Sequence, residues 1–314
     1  MVTMDCFVAT FLAVKNRFTN RTEKGRNKYN MRILVTGVKG QLGYDVVKEL
    51  ERVGHTPIGV DIEEMDITCE KQVWELLNES KLDGVIHCAA YTAVDGAEDN
   101  QELCMAVNAT GTKNIATVCK ELDIKMIYIS TDYVFNGEGD NFWEPEDKRE
   151  PLNVYGDSKY QGELAVESLL EKYFILRISW VFGENGNNFI KTMLRLAETR
   201  DELNVVNDQV GSPTYTADLA VLLAKMIESE KYGKYHATNE GLCTWYDFAV
   251  EIFKQAGVEI QVNPVSSDAF PVKAKRPHNS RMDKSKLVEE GFDLLPSWQD
   301  ALNRYLLLLK GSML

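Results

Sequence analysis

Three glycines mark the junction where the first strand-like run of this chain passes into its first helix-like run, and few folds accommodate that order. Met31-Arg32-Ile33-Leu34-Val35 reads as a strand, and the segment from Gln41 to Arg52 collects Leu42, Val46, Val47 and Leu50 on one helical stripe. Between them lies Thr36-Gly37-Val38-Lys39-Gly40-Gln41-Leu42-Gly43. Glycines at such a junction let the backbone turn tightly and approach a pyrophosphate, which free amides at the helix start would hold. The spacing is Gly-x-x-Gly-x-x-Gly, which departs from the general dinucleotide fingerprint, so the glycines alone carry little. Their context adds weight. The second run ends in Asp61, about 20 residues onward, where a carboxylate can accept hydrogen bonds from an adenosine ribose. An acid there favours NAD over NADP by repelling a ribose phosphate; Lys39 inside the loop offsets that repulsion, so both cofactors stay open. Asp66 and Ile67 read either as a cover for the adenine or as an ordinary turn with a core isoleucine.

The rest of the chain extends the pattern. Short β-branched runs at residues 33–36, 57–60, 84–87, 125–130 and 174–178 alternate with segments of helical period, including one from Glu102 to Leu122 whose stripe is Leu103, Val107, Ile115 and Val118. That alternation predicts an α/β protein: a Rossmann-type, doubly wound parallel sheet covered on both faces. After about residue 184 the pattern loosens, which predicts a smaller α/β substrate-binding lobe over residues 185–314, with some segments returning to a dinucleotide-binding domain of residues 31–184. The stripe Trp298, Leu302, Tyr305 and Leu306 reads as the core side of a last helix. Composition excludes other classes. With 35 Lys and Arg against 48 Asp and Glu, the net charge of -13 argues against nucleic acid as a partner, and no apolar run is long enough for a membrane span. Six scattered cysteines without a Cys-x-x-Cys pair predict reduced thiols and a cytoplasmic setting. Residues 1–30 differ, with six basic side chains against two acidic ones; they read as a disordered extension, either an organelle transit peptide or the product of an upstream start codon with Met31 as working initiator.

Reactive side chains gather at predicted strand ends. The third strand ends in His87-Cys88-Ala89-Ala90, whose small residues let a cofactor approach; His87 has no partner at metal-ligand spacing and reads as structural or as a cofactor contact. The next strand delivers Ser130 and Thr131, and downstream Tyr155 and Lys159 stand four apart, on one face of a helix. An ammonium beside a phenol stabilises the phenolate, so Lys159 is expected to lower the pKa of Tyr155, and Thr131 would hold a carbonyl oxygen against it.

Together with Tyr91-Thr92-Ala93-Val94-Asp95, Val107-Asn108, Ser130-Thr131-Asp132-Tyr133-Val134-Phe135, the run from Arg177 to Gly183, Asp208-Gln209-Val210-Gly211-Ser212-Pro213-Thr214 and Arg276-Pro277, these residues make the chain from Met31 onward resemble the extended short-chain dehydrogenase/reductase family. Within it the resemblance is strongest to the branch that reduces the C4 ketone of dTDP-4-dehydro-β-L-rhamnose with NADPH or NADH. The resemblance implies Tyr155 as proton donor, Lys159 as its electrostatic partner and ribose contact, Thr131 as the second hydroxyl on the ketone and Asn108 as a helix residue of the proton relay. It implies a cofactor site of Gly37, Lys39, Gly40, Gln41, Leu42, Gly43, Asp61, Asp66, Ile67, Ala89 and Ala90. For the dTDP-sugar it implies Asp132, Tyr133 and Trp180 around the sugar, and Arg276 on the diphosphate. Related dehydratases follow the threonine with Asp-Glu, whereas here Asp132-Tyr133 follows, which suits a one-step reduction. Two alternatives remain at this stage: a non-catalytic regulatory subunit like the β subunit of methionine adenosyltransferase, and a reductase of another nucleotide-linked 4-keto sugar. Some family members dimerise through a metal held by glutamates, which brings a homodimer with Mg at its interface into view, although no motif here marks one.

Overall fold

The computed structural model describes residues 30–311; apart from Asn30, the N-terminal extension lies outside them. Six parallel strands form the central sheet: β1 (Arg32–Thr36), β2 (Thr56–Val60), β3 (Gly84–His87), β4 (Lys125–Thr131), β5 (Tyr173–Ile178) and β6 (Gly233–His236), in the order β2-β1-β3-β4-β5-β6. Alternation along the central strands explains why their runs are mostly apolar on both faces. Ile33 and Val35 of β1 face one side, against Leu42, Val46 and Leu50 of α1 (Gln41–Arg52) and Leu219, Leu223 and Ile227 of the helix Thr216–Glu228. Leu34 faces the other side, with Met126 and Tyr128 of β4, against Val73 and Leu77 of the helix Glu70–Ser80 and Ile115 and Val118 of the helix Thr112–Glu121. A strand buried on both faces needs apolar side chains at every position.

The long helix expected over 102–122 is not continuous. It divides into Gln101–Met105, a π turn at Ala106–Gly111 and Thr112–Glu121. A π turn adds a residue to the helical circuit and shifts the phase of the face behind it. Leu103, expected on the buried stripe, is therefore 53% exposed, while Ile115 and Val118 remain in the core.

A third apolar cluster builds the second lobe. Ile190 and Met193 of the helix Phe189–Ala197, Phe248 and Ile252 of the helix Trp245–Ala256, and Trp298, Leu302 and Tyr305 of the helix Trp298–Gly311 pack together beside the parallel pair Glu202–Val206 and Gln261–Val265. Among the described residues no helix is long and apolar enough to cross a membrane.

Candidate active site

The chain leaves β1 toward β2 on one side and crosses to β3 on the other, so the loops after β1 and β3 diverge. A cleft of about 620 Å³ opens there, as it does at the switch point of doubly wound sheets. Its lining includes Gly37, Lys39, Gly40, Gln41, Leu42, Gly43, Asp61, Asp66, Ile67, Ala89 and Ala90, all expected at a cofactor, and also Thr131, Asp132, Tyr133, Tyr155, Lys159 and Trp180. Asn108 and Arg276 are not part of that lining.

Steric demand accounts for the glycine spacing. Gly37 has φ of 70°, and a Cβ on it would stand 2.8 Å from the Ala89 backbone; a Cβ on Gly43 would stand 2.3 Å from the Gly37 carbonyl oxygen. The N-cap of α1 is Gly40, with no side chain capping the first amides, and these face the cleft with the positive end of the helix dipole. Asp61 is engaged: its carboxylate accepts from the amides of Lys39 (3.0 Å) and Ile62 (2.9 Å), while the Lys39 ammonium lies 2.7 Å from Glu63. Two backbone donors on Asp61 soften the repulsion expected against a ribose phosphate.

His87 is a structural link. Thr36 Oγ1 accepts from the amides of Cys88 (3.1 Å) and Ala89 (3.0 Å), so its own proton goes to His87 Nδ1 at 2.7 Å. His87 then carries its proton on Nε2, facing Thr112 Oγ1 at 3.2 Å, and the Thr112 hydroxyl donates to the Asn108 carbonyl at 2.6 Å. This assignment follows from the donor count. Burial, with the charge of Lys159, pushes the imidazole down to about 3, so it is neutral.

Beside this link Thr131, Tyr155 and Lys159 converge. Thr131 ends β4; Tyr155 and Lys159 lie one turn apart on the helix Val154–Leu169, whose start is fixed by the Asn153 side chain accepting from the Gly156 amide at 2.8 Å. Tyr155 and Thr131 both line the cleft, and the Thr131 hydroxyl opposes the effect of burial on the Tyr155 phenol. Thr131 Oγ1 also accepts from the Tyr133 amide (3.2 Å) and donates to Asp132 (2.9 Å). Asp132 is buried, takes a second hydrogen bond from Ser280, and is pushed up to about 6 by desolvation. The expected lowering of Tyr155 by Lys159 is not what the structure shows. Burial drives the phenol well above its ordinary value and drives the Lys159 amine down to about 7 against the opposing charge of Glu163. Desolvation outweighs proximity here, because both groups prefer their neutral forms when deprived of water.

Sequence reasoning passed over the support beneath this floor. Glu163, one turn beyond Lys159, is fully buried and accepts from Ser130 Oγ (2.5 Å), Arg177 Nε (2.8 Å), Arg177 Nη2 (2.8 Å) and Arg149 Nη1 (2.8 Å). Burial raises its pKa, but Arg177 and these donors outweigh that effect and hold it below the usual carboxylate value. The signal for it was present in the sequence: an arginine within the apolar run of a doubly covered strand needs a buried counter-charge.

Asn108 sits in the π turn with its side chain occupied. Its Oδ1 accepts from the Tyr91 amide (2.8 Å), and Nδ2 donates to the Tyr91 carbonyl (3.0 Å) and to Ser158 Oγ (2.9 Å). It braces the loop after β3 against the Tyr155 helix. Arg276 makes a bidentate pair with Asp95 (2.7 and 3.2 Å) and lines a second cavity of about 580 Å³, which Tyr133 also lines. Phe189, Arg200 and Trp245 contribute to that cavity as well. Among the described residues no three His, Cys, Asp or Glu side chains are grouped to hold a metal ion.

Comparison with known proteins bears on this geometry. Residues 31–310 match the model of the RmlD substrate binding domain. The chain is 41% identical over 285 residues to dTDP-4-dehydrorhamnose reductase of Aggregatibacter actinomycetemcomitans, covering 86% of this chain and 97% of that protein. A crystal structure of a dTDP-4-dehydrorhamnose reductase from Clostridium acetobutylicum ATCC 824 superimposes with a TM-score of 0.87 at 42% identity, over 89% of this chain and all of that one. The Bacillus anthracis reductase in complex with NADP gives a TM-score of 0.87 at 42% identity, over 89% of this chain and 99% of that one.

Proposed function

The chain belongs to the RmlD substrate binding domain family, among its dTDP-4-dehydrorhamnose reductases, and we infer that it reduces the C4 ketone of dTDP-4-dehydro-β-L-rhamnose to the alcohol of dTDP-β-L-rhamnose. The observation that carries this reading is the convergence of Thr131, Tyr155 and Lys159 on the wall of a cleft that also holds the glycine cradle.

The residues fit a nicotinamide cofactor: a Cβ would fill the space at Gly37 and Gly43, and the uncapped amides of α1 suit a pyrophosphate. NADPH, when bound, supplies the hydride to C4. Lys39 is the cation on the cleft wall nearest Asp61, and with the Asp61 carboxylate already holding two amides it suits a 2′-phosphate. At the reacting end the ketone oxygen takes the proton of the Tyr155 hydroxyl. A phenol kept protonated by burial is the right acid for this direction, and the phenolate left behind gains the Lys159 ammonium as its counter-charge. Before that proton is passed, the Thr131 and Tyr155 hydroxyls can hold the developing alkoxide from two sides.

The second cavity suits the nucleotide end of the substrate. Arg200 and Arg276 bring positive charge to it, Phe189 brings an aromatic face, and Tyr133 joins it to the cleft. For Arg276 to meet a diphosphate, its pair with Asp95 must open or be shared. For a metal at a dimer interface, no group of three His, Cys, Asp or Glu side chains stands ready among the described residues.

The test is loss of NADPH absorbance with the sugar nucleotide, in the unaltered chain and in Tyr155→Phe. The variant should lose about 10²–10⁴-fold in kcat and keep its affinity for NADPH. Retained turnover would remove Tyr155 as the acid. An unaltered chain that binds NADPH and reduces nothing would return the regulatory-subunit alternative.

A further inference from the structure

Trp180 holds a conformation that a tryptophan rarely adopts, with φ of 50°, at the wall of the cofactor cleft. L residues with large side chains reach that region only when their surroundings determine it. The surroundings here come from the second lobe. The Trp180 indole stacks on Trp245, with ring centroids 3.8 Å apart and planes 17° from parallel; no other pair of indoles among the described residues is stacked. On its edge, Gly211 lies so close that a Cβ would stand 3.1 Å from Cε2 and Cζ2 of the ring. Beneath, the backbone is pinned: the Trp180 carbonyl accepts from the Thr214 amide (3.2 Å), and the Ser179 carbonyl accepts from the Thr214 hydroxyl (2.6 Å).

Trp245 is itself fixed in place. It is the first residue of its helix, directly after a capping box in which Thr244 Oγ1 accepts from the Asp247 amide and Asp247 accepts from the Thr244 amide. The two-residue strand before it, Cys243–Thr244, pairs antiparallel with Val210–Gly211, so the stacking partner and the glycine arrive on neighbouring strands. Trp180 lines the cofactor cleft and Trp245 lines the second cavity. The stacked pair is therefore part of the partition between the two.

We propose that Trp245 is the positioning residue for Trp180: its ring, with Gly211 leaving room, holds the Trp180 indole in its left-handed conformation and so shapes the wall against which the sugar ring is gripped. The proposal rests on the reductase reading, since it assigns to Trp245 an effect on the sugar nucleotide and none on NADPH. Together with the Ser280 Cβ, which a Cβ on Gly211 would also meet at 3.1 Å, the Trp180 ring accounts for a glycine in the Asp208 to Thr214 run.

The experiment compares Trp245→Leu, which fills space without a stack, with Trp245→Phe, which keeps a stacked ring. Far-UV circular dichroism reads the indole pair directly, because two stacked tryptophans give an exciton couplet that either substitution removes; Trp180→Phe serves as the control that assigns it. Trp245→Leu should raise KM for the sugar nucleotide about tenfold or more and leave KM for NADPH unchanged, while Trp245→Phe should keep near-parental kinetics despite losing the couplet. Parental kinetics in Trp245→Leu would overturn the proposal. So would equal impairment in Trp245→Phe, which would mean that the indole touches the substrate itself. If Trp245→Leu does not fold, Gly211→Ala presses on the ring from its edge; it should weaken the couplet and raise the sugar-nucleotide KM, and a couplet and KM both unchanged would refute the assignment. An unaltered chain that shows the couplet but does not reduce the sugar nucleotide would sink the reductase reading first, and the proposal with it.

Discussion

Replacing Glu163 by Gln removes one charge from a group that is almost entirely inside the protein. Arg177, 1% exposed, directs Nε and Nη2 at that carboxylate; its remaining hydrogen-bond partners are the Pro145 carbonyl and the neutral His236, and the Phe135 ring lies against the guanidinium. Glutamine offers one carbonyl oxygen where the carboxylate offers two, so two of the four hydrogen bonds are lost and an amide N–H faces a guanidinium. Arg149 suffers less, because Glu167 holds it through two further hydrogen bonds. Leaving a buried charge without its partner costs about 3–5 kcal/mol. For a chain of this size that lowers Tm by about 6–10 °C, at about 2 °C per kcal/mol. Thermal melts followed by circular dichroism measure it. A second readout is specific to the site: Glu163 opposes the desolvation of Lys159, so the lysine should deprotonate below its present value of about 7, and any limb of the pH profile that depends on its charge should move to more acid pH. The pair can also be removed whole. Glu163→Leu with Arg177→Met should destabilise less than Glu163→Leu alone, because no uncompensated charge remains. A Tm change under about 2 °C in Glu163→Gln, or a double variant worse than the sum of its single substitutions, would refute the reasoning.

Gly43→Ala places a methyl group 2.3 Å from the Gly37 carbonyl oxygen, so the first turn must open; NADPH affinity measured by fluorescence titration should fall by about 100-fold or more, and an unchanged affinity would contradict the cradle. Lys39→Ala should raise KM for NADPH about tenfold while moving KM for NADH little, and equal effects on the two would remove Lys39 from the 2′-phosphate. Lys159 gives a pH signature in the unliganded chain. Its folded value of about 7 lies below the ordinary 10.5, so between those limits the unfolded chain binds more protons and stability rises with pH. Urea melts across that window should show the rise, and Lys159→Met should flatten it.

What could be read from the sequence follows from what periodicity can encode. Strands covered on both faces have no polar side to blur them, so the runs at 33–36, 84–87 and 174–178 appear in the fold with ends shifted by at most one residue. The edge strand Gly233–His236 went unseen, because four residues that include Lys234 and His236 do not make an apolar run. The π turn was hidden for a related reason: the apolar positions on either side of it each keep a helical period, and only the phase between them changes. At the site, residue types and spacing located the glycine cradle and the Thr131, Tyr155 and Lys159 group. Spacing does not report solvent, so the upward shift of Tyr155 was read with the wrong sign. Nor does it report partners far along the chain: Arg276 looked free for a diphosphate, yet Asp95, 181 residues away, holds it.

The same physics explains why the polar groups of this fold collect where they do. An apolar sheet interior leaves hydroxyls, imidazoles and charges only the strand ends, and Thr36, His87, Thr131, Arg177 and His236 all lie at or within one residue of the carboxyl end of a strand. Each of these is buried, so each must be satisfied by protein. The solutions interlock: Thr36, His87 and Thr112 connect the glycine cradle to the π turn; Asn108 carries that connection to Ser158 on the Tyr155 helix; and Glu163 connects the same helix to Ser130 and Arg177. The glycine cradle and the Tyr155 helix are thus held by one connected set of hydrogen bonds. A hydride transfer requires its donor carbon, acceptor carbon and acid at fixed mutual positions, and misplacement of about 1 Å can cost about 100-fold in rate. Satisfying the buried polar groups of the strand ends therefore also supplies the rigidity that the chemistry demands.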